Sequence, residues 1–396
     1  MRIEKNEKEL KIFLTGRIDA SSAPDVEKEL SENTGDLNGR DLIMDAADLA
    51  YISSAGLRVL LKIQKTTGSR IRVENVSRDL YEIFETTGFT DLMDVVKAYR
   101  TMSVEGCEVI GEGFYGTVYR VDEETIIKVY NGSDTIPMIR NEQKMAKAAF
   151  INGIPTAISY DIVKVGDSYG SVFELLNAKT FNDIVISGVR PLEDIVSQYV
   201  DMIRLVHNTS IDQADIPHAE DTLMSYLDSI RGYLEESQYE ALKGLIGTLP
   251  HCNNVVHGDL QMKNVMLVND EPMLIDMDTL SLGDPVFDLQ ALYVTYVLFP
   301  EDEPDNTMQF LGIPRETAHR IWDLVMDMYF RDLSQESKGE ALLRIRLTAC
   351  IRFLFIITVS DLKNSDLGRL RIDHTKEHID ELLGKVKSLS VKEISD

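Results

Sequence analysis

Cysteine is scarce in this sequence: Cys107, Cys252 and Cys350 are the only three in 396 residues, far apart and in no CxxC or His-flanked pattern. That usage fits a reducing cytosol and predicts no zinc site. Long apolar runs are missing too. The longest, such as Phe353–Val359 behind Arg352, fall far below the ~20 residues a membrane span needs. Bases are few against acids, 41 to 66, for a formal charge of −25. Binding to nucleic acid or anionic lipid draws most of its affinity from neutralised phosphates, so neither partner is expected. The opening MRIEKNEKEL is too charged for a signal peptide. A soluble, cytoplasmic protein is the expectation. Internal repeats and low-complexity segments are absent as well.

What is present is globular: 44% hydrophobic and 27% charged residues, in a chain long enough for two or three domains. The first hundred residues alternate short elements. Strands are predicted at Glu9–Leu14, Asp41–Met44 and Arg70–Val76, and helices at Ala23–Ser31, Ala55–Thr66 and Asp79–Thr86. Such alternation predicts a small α/β layer. Residues 1–100 hold 15 basic and 18 acidic side chains, and the remainder 26 and 48. This asymmetry predicts two units with different jobs, 1–100 and 101–396. The junction, Lys97–Glu105, has no Pro and no Gly/Ser tract, and about eight extended residues reach only ~26–29 Å. From Val104 to about Leu176 the pattern is strand-rich with one helix. Beyond it, helical periodicity marks Asp194–His207, Thr222–Leu249, Glu316–Tyr329, Gly339–Val359 and Lys376–Leu389.

Chemistry concentrates in the second half. In IGEGFYGTVYRVDEETIIKVY (110–130), Gly111, Gly113 and Gly116 form GxGxxG, and Lys128 follows in an apolar strand. GxGxxG alone also opens dinucleotide-binding folds. Here the flanks are strand-like and a Lys sits in the next strand, as in the protein-kinase pattern. Glycines let backbone amides approach phosphate oxygens, and the Lys offers a point charge to the α/β-phosphates. A glycine hairpin beside a surface lysine is the plainer alternative. Met138–Ala149 reads as a helix bearing Glu142, either the partner of Lys128 or a solvated charge. The strongest segment is VVHGDLQMKNVMLVNDEPMLIDMDTLSLGDPVFD (255–288), where His257, Asp259 and Asn264 fit HxDxxxxN. Asp276 closes the apolar strand Met273–Ile275, twelve residues after Asn264. The two then stand on the arms of one hairpin and can offer oxygens to Mg²⁺, while Asp259 accepts the proton of an attacking hydroxyl.

Residues 105–396 resemble the aminoglycoside phosphotransferase and choline-kinase group, through HGDLQMKN (257–264), LIDMDT (274–279) and GDPVFDL (283–289). The resemblance implies a two-lobed, protein-kinase-like α+β fold: a small β-rich N-lobe at about 105–176 and a helical C-lobe at about 177–396. It also implies ATP between the lobes, with adenine on the hinge backbone around Phe173–Leu176, which makes Glu174 and Leu176 candidate nucleotide contacts. Asp288 becomes an acid bracing the catalytic loop, and His257 a support rather than a base. Gln261 stands where protein kinases usually carry Lys, and no DFG or APE motif is present. These departures point to a small-molecule hydroxyl acceptor, or to a fixed intramolecular one. The acid surplus would suit a cationic acceptor; a generically acidic surface explains it as well.

In the first half, LTGRIDASSAPDVEKEL (14–30) and DLIMDAADLAYISSAGLRVLL (41–61) resemble anti-sigma factor antagonist domains of the STAS family. In that family a serine of an Asp-Ser-Ser/Thr-Gly-Leu turn is phosphorylated by a partner kinase. Alignment on Gly56 and Leu57 puts Ser54 at the phosphoacceptor and Ser53 where the family has Asp. A serine here can equally cap the following helix. The leading expectation is an ATP- and Mg²⁺-dependent phosphotransferase with a STAS domain for regulation or partner docking. The alternative is a signalling switch whose kinase-like half senses nucleotide or phosphorylates Ser54, in trans within a homodimer.

Overall fold

The structure, a computed structural model, describes residues 1–35, 37, 39–68, 70–113, 116–132, 135–175, 178–213 and 215–395, the last without its side chain. The chain divides into two compact units. Met1–Ser103 with Ile162–Asp167 make the first, and the rest make the second.

The first unit runs β1 (Arg2–Lys5), β2 (Glu9–Ile18), α1 (Ala23–Thr34), β3 (Asp41–Ile52), α2 (Ser54–Thr67), β4 (Arg72–Val76), α3 (Arg78–Thr86), α4 (Phe89–Leu92), β5 (Asp94–Lys97) and β6 (Arg100–Thr101). Its sheet has the order β1-β2-β3-β4-β5; β1 is antiparallel to β2 and the others pair in parallel. Parallel neighbours need crossovers, and the helices supply them. Alternation directs Leu10, Ile12 and Leu14 of β2 inward, where they meet Leu57, Leu60 and Ile63 on one face of α2. Asp45 is buried among these strands and accepts from Asn75 Nδ2 at 2.9 Å and Ala47 N at 3.0 Å, with Lys11 Nζ 3.0 Å away. The sequence reading missed β1 and β5, which are short.

The second unit opens with β7 (Glu108–Glu112), β8 (Gly116–Arg120), β9 (Thr125–Tyr130) and α5 (Ile136–Ile151). β10 (Asp161–Val165) follows; Val163 and Lys164 of it pair in parallel with β6, and from Ile162 to Asp167 the chain counts with the first unit. β11 (Ser168–Glu174) returns antiparallel to β9, and β9, β8 and β7 form successive antiparallel pairs. Then come β12 (Lys179–Thr180), α6 (Phe181–Ser187), α7 (Leu192–Asn208), α8 (Ala219–Ile230), α9 (Glu236–Ile246), β13 (Val255–Val256), β14 (Val265–Val268), β15 (Glu271–Leu274) and β16 (Ser281–Leu282). The chain finishes with α10 (Val286–Tyr293), α11 (Phe299–Asp302), α12 (Asn306–Leu311), α13 (Arg315–Tyr329), α14 (Gln335–Val359), α15 (Asp366–Leu383) and the short α16 (Lys392–Ser395).

Two helical expectations need correction. Thr222–Leu249 is not one helix: a 3₁₀ turn at Arg231–Tyr233 ends α8, and a capping box between Glu235 and Gln238 starts α9. The helix expected at Lys376–Leu389 lies earlier, at Asp366–Leu383, because Ser365 caps it by accepting from Gly368 N at 2.9 Å and Gly384 ends it. The apolar stretch Phe353–Val359 belongs to α14, whose Ile345, Leu347, Ile351 and Leu354 are fully buried, with α14 packed against α8, α10 and α15. A helix apolar on most of its faces is a core helix here. Among the described residues no helix is long and apolar enough to cross a membrane.

Candidate active site

β8 and β9 form a hairpin in which Gly116 faces Tyr130 and Val118 faces Lys128. A Cβ on Gly116 would lie 2.3 Å from the Val129 carbonyl oxygen, so the strands can approach this closely only at glycine. At Gly111 and Gly113 the nearest atoms would be 3.7 Å away, an ordinary contact. Of the three, packing demands only Gly116; Gly111 pairs with Val118 and Gly113 N donates to Gly116 O at 2.9 Å.

Lys128 is half-buried and bonded on two sides. Its Nζ donates to both carboxylate oxygens of Glu142 on α5, at 3.2 and 3.1 Å, and to Asp276 Oδ1 at 2.6 Å. Burial would lower its pKa, but the charges of Glu142 and Asp276 outweigh it and raise the ammonium above its ordinary value. Glu142 is only 6% exposed and also accepts from the Tyr130 hydroxyl, so it belongs to the site and is not a solvated surface charge. Burial, then the Glu142 carboxylate, pushes that phenol above its usual range. Asp276 has a left-handed backbone, φ 63° and ψ 59°, directly after the strand, an uncommon state for a non-glycine residue.

The catalytic-loop segment leaves β13 at His257. Asp288, wholly buried on α10, accepts from His257 N at 2.9 Å and Gly258 N at 2.6 Å, and contacts His207 Nε2 at 3.0 Å. Burial alone would raise its pKa; the His207 contact and these amides bring it below the ordinary carboxylate range. Gly258 has φ +85° and would press a Cβ within 2.8 Å of Thr279 O. Asp259 follows. Its Oδ2 accepts from Gln261 Nε2 at 2.9 Å and Asn264 Nδ2 at 3.1 Å, leaving Oδ1 outside both bonds. Asn264 donates through Nδ2 in each case, also to Asp259 O at 2.8 Å, so its Oδ1 is not used by them. Ile275 N donates to Asn264 O at 3.0 Å, and His257 Nε2 meets Ile275 O at 3.1 Å, which locks the loop to the strand that delivers Asp276.

Two groups thus assemble: Lys128, Glu142 and Asp276 in one, Asp259 and Asn264 in the other, linked through Ile275. Glu174 stands exposed at the end of β11, three residues beyond Ser171, which pairs with Lys128. Leu176 lies outside the described residues. Residues 106–314, over half the chain, match the phosphotransferase enzyme family. The chain belongs to that family. Residues 1–103 match the STAS domain. The anti-sigma-B factor antagonist of Bacillus subtilis (strain 168) is 31% identical over 96 residues, covering 24% of this chain and 86% of that protein. The putative anti-sigma factor antagonist BtrV of Bordetella bronchiseptica is 33% identical over 89 residues, 22% of this chain and 75% of that one. Solved structures with partial likeness include a thermostable mutant of aminoglycoside phosphotransferase APH(4)-Ia in ternary complex with AMP-PNP and hygromycin B, at 12% identity, 70% and 93% coverage and TM-score 0.49. A choline/ethanolamine kinase family protein from Mesorhizobium loti matches at 13% identity, 70% and 87% coverage and TM-score 0.47.

In the phosphotransferase domain a cavity of about 180 Å³ adjoins the catalytic loop, lined among others by Tyr226, Gly258, Asp278, Phe287, Gln290 and Arg352. Arg352 Nη1 donates to Gly258 O at 2.6 Å. Asp278 is pushed up to about 6 by burial and by the neighbouring Asp276 charge. The cavity is therefore lined by both a cation and an acid. Sequence reasoning had named Gln261 only as a departure and had not found Tyr130, His207 or Arg352. Tyr130 shares the strand face of Lys128 two residues on, a period-2 signal. His207 reaches Asp288, and Arg352 the Gly258 carbonyl, from distant helices, and neither leaves a local signal.

In the STAS domain Ser53, and not Ser54, caps α2. Its side chain accepts from Ala55 N at 3.2 Å and Gly56 N at 3.5 Å. Ser54 is the first helical residue and is exposed.

Proposed function

We propose that the second unit transfers the γ-phosphoryl group of ATP to a hydroxyl of a small molecule, with Mg²⁺. The observation that carries this reading is the ion-paired Lys128–Glu142–Asp276 cluster tied through Ile275 to the Asp259–Asn264 loop. Lys128, held by Glu142, would bind the α/β-phosphates, and the lack of side chains at Gly111 and Gly113 would let the triphosphate lie close to this hairpin. The hinge beside Glu174 and Leu176 would take the adenine. The donor set fits the metal: an amide oxygen of Asn264 and a carboxylate of Asp276 are hard oxygen ligands. Bound there, Mg²⁺ would neutralise charge on the phosphates. Asp259 Oδ1 accepts the proton of the acceptor hydroxyl; the acceptor oxygen bonds to Pγ, the Pγ–O bond to ADP breaks, and ADP leaves. Gln261 and Asn264 hold the other carboxylate oxygen, so the base is aimed before substrate arrives. Net charge alone favours a cationic acceptor; a cavity lined by Arg352 and Asp278 suits one carrying polar groups of both signs. The test incubates the full chain with labelled ATP, Mg²⁺ and a panel of amines, sugars and aminoglycosides. Label on a small molecule supports the reading, and no transfer to any acceptor or to the protein counts against it.

A second reading concerns the STAS domain, which would dock a protein partner and be switched by phosphate on Ser54. The exposed Ser54 hydroxyl, relieved of capping by Ser53, supports it. Phosphate at the first turn of α2 would add about −1.5 to −2 charge beside the positive end of the helix dipole. Mixing Asp259→Asn chains with active Ser54→Ala chains tests transfer in trans. Phosphate on Ser54 of the inactive chains supports it; none there, with a small molecule labelled, leaves that serine to a separate kinase or to docking.

A further inference from the structure

We propose that His218, Glu220 and His251 form a site for one transition-metal ion of the Zn²⁺ type, separate from the nucleotide site. His218 immediately precedes α8, Glu220 is its second residue, and His251 lies between α9 and β13. Their ligand atoms all fall within 4.8 Å of one another. The two imidazoles stack with centroids 3.8 Å apart and planes 29° from parallel. Both Nδ1 atoms approach one carboxylate oxygen, Glu220 Oε1, at 2.8 Å from His251 and 3.6 Å from His218.

A proton shared between His251 and Glu220 does not complete this arrangement. His218 Nδ1 and Glu220 Oε2 are buried, and neither has a hydrogen-bond partner among the described residues. Buried polar atoms left this way carry an uncompensated desolvation penalty. One cation at bonding distance from both imidazoles and the carboxylate would satisfy all of them. Zinc holds nitrogen and oxygen ligands at about 2.0–2.2 Å, so neighbouring ligand atoms in a tetrahedron stand about 3.3–3.6 Å apart. The observed 2.8 and 3.6 Å between each Nδ1 and Glu220 Oε1 bracket that spacing, and the stacked rings must turn so that both Nδ1 lone pairs converge on the ion. Two imidazoles select a borderline metal and disfavour Mg²⁺. The His251 side chain is 71% exposed, so water can reach the fourth position.

The backbone around the ligands is already fixed. Leu282 N donates to Pro217 O at 2.9 Å, Gly283 N to Asn254 O at 2.8 Å, and Val255 N to Thr209 O at 2.9 Å. A metal here would staple the start of α8 to the segment that feeds β13 and the catalytic loop. The scarcity of cysteine spoke against a zinc site, but that count is blind to His and Glu ligands brought together by folding. Cys252 adjoins His251, yet burial raises its thiol pKa, and it is not counted among the ligands.

The test strips the full-length protein with a chelator and titrates Zn²⁺ against a chromophoric competitor, with thermal melting in parallel. One equivalent bound at micromolar affinity or tighter is expected, with a rise in Tm. His251→Ala, an exposed substitution that keeps the fold, and Glu220→Gln should each weaken binding at least tenfold and abolish the rise. Cys252→Ser should retain both, and Mg²⁺ alone should not displace the reporter. Absent stoichiometric binding, binding unchanged in His251→Ala, or binding lost only in Cys252→Ser would each overturn the assignment.

Discussion

Asp259 carries two donors on one carboxylate oxygen and leaves the other outside those bonds, a division of labour suited to a base. Asp259→Asn should cut transfer by about 10²-fold or more, while calorimetry finds Mg-ATP affinity within a few-fold of wild type. Lys128→Ala should weaken nucleotide binding as well, because it removes the point charge and leaves Glu142 buried without its cation. The reverse ordering would exchange the two roles. Asp276→Asn should keep the fold and abolish turnover; unchanged transfer would shift the metal assignment to Asp278. The glycines separate in the same way. Gly116→Ala meets Val129 O at 2.3 Å and should lower Tm by several degrees, a cost of about 1–3 kcal/mol for overpacking against backbone. Gly113→Ala has its nearest neighbour at 3.7 Å and should leave Tm almost unchanged while reducing nucleotide affinity.

At the level of elements, α10 does its work through one buried carboxylate. Asp288 satisfies two successive loop amides and one imidazole at once, so its loss strands all three. Asp288→Ala should destabilise the second unit by about 3–5 kcal/mol, the scale for removing one partner of a buried charged network, read by urea denaturation. Should that variant fail to fold, Asp288→Asn retains one acceptor and should fall between. The pH dependence has a definite sign. The folded pKa of Asp288 is depressed, so its stabilisation is complete above the unfolded carboxyl range of about 4. It is lost as pH falls through the lower folded value. The gap between wild type and Asp288→Ala should therefore close in acid and stay constant from pH 6 to 8.

For the whole molecule, each unit has a core of its own. Leu10, Ile12, Met44, Leu60, Val73 and Phe84 cluster in the first, apart from the larger core built on α7, α13 and α14. A fragment of residues 1–103 should unfold in one cooperative urea transition, followed by circular dichroism. The counter-outcome is informative: a fragment with no such transition would mean that the first unit depends on Ile162–Asp167, the segment it takes from later in the chain. The charge asymmetry between the halves agrees with this division into cores.

The local patterns were legible in the sequence because their chemistry lies within single elements. HxDxxxxN puts Asp259 and Asn264 in one loop, and strand periodicity sets Lys128 and Tyr130 on one face, whatever the rest of the chain does. Alternating strands and helices likewise announced the small α/β layer of the first unit. Boundaries were less legible: the break at Arg231–Tyr233 depends on a capping box that hydrophobic periodicity does not sense. The pairing of Lys128 with Asp276 across 148 positions, the contacts of His207 with Asp288 and of Arg352 with Gly258, and the meeting of His218, Glu220 and His251 were decided by tertiary structure alone. Short-range spacing constrains dihedral angles and faces within an element. Which faces then meet depends on how whole helices and sheets bury their apolar surface, and that is a property of the packed molecule.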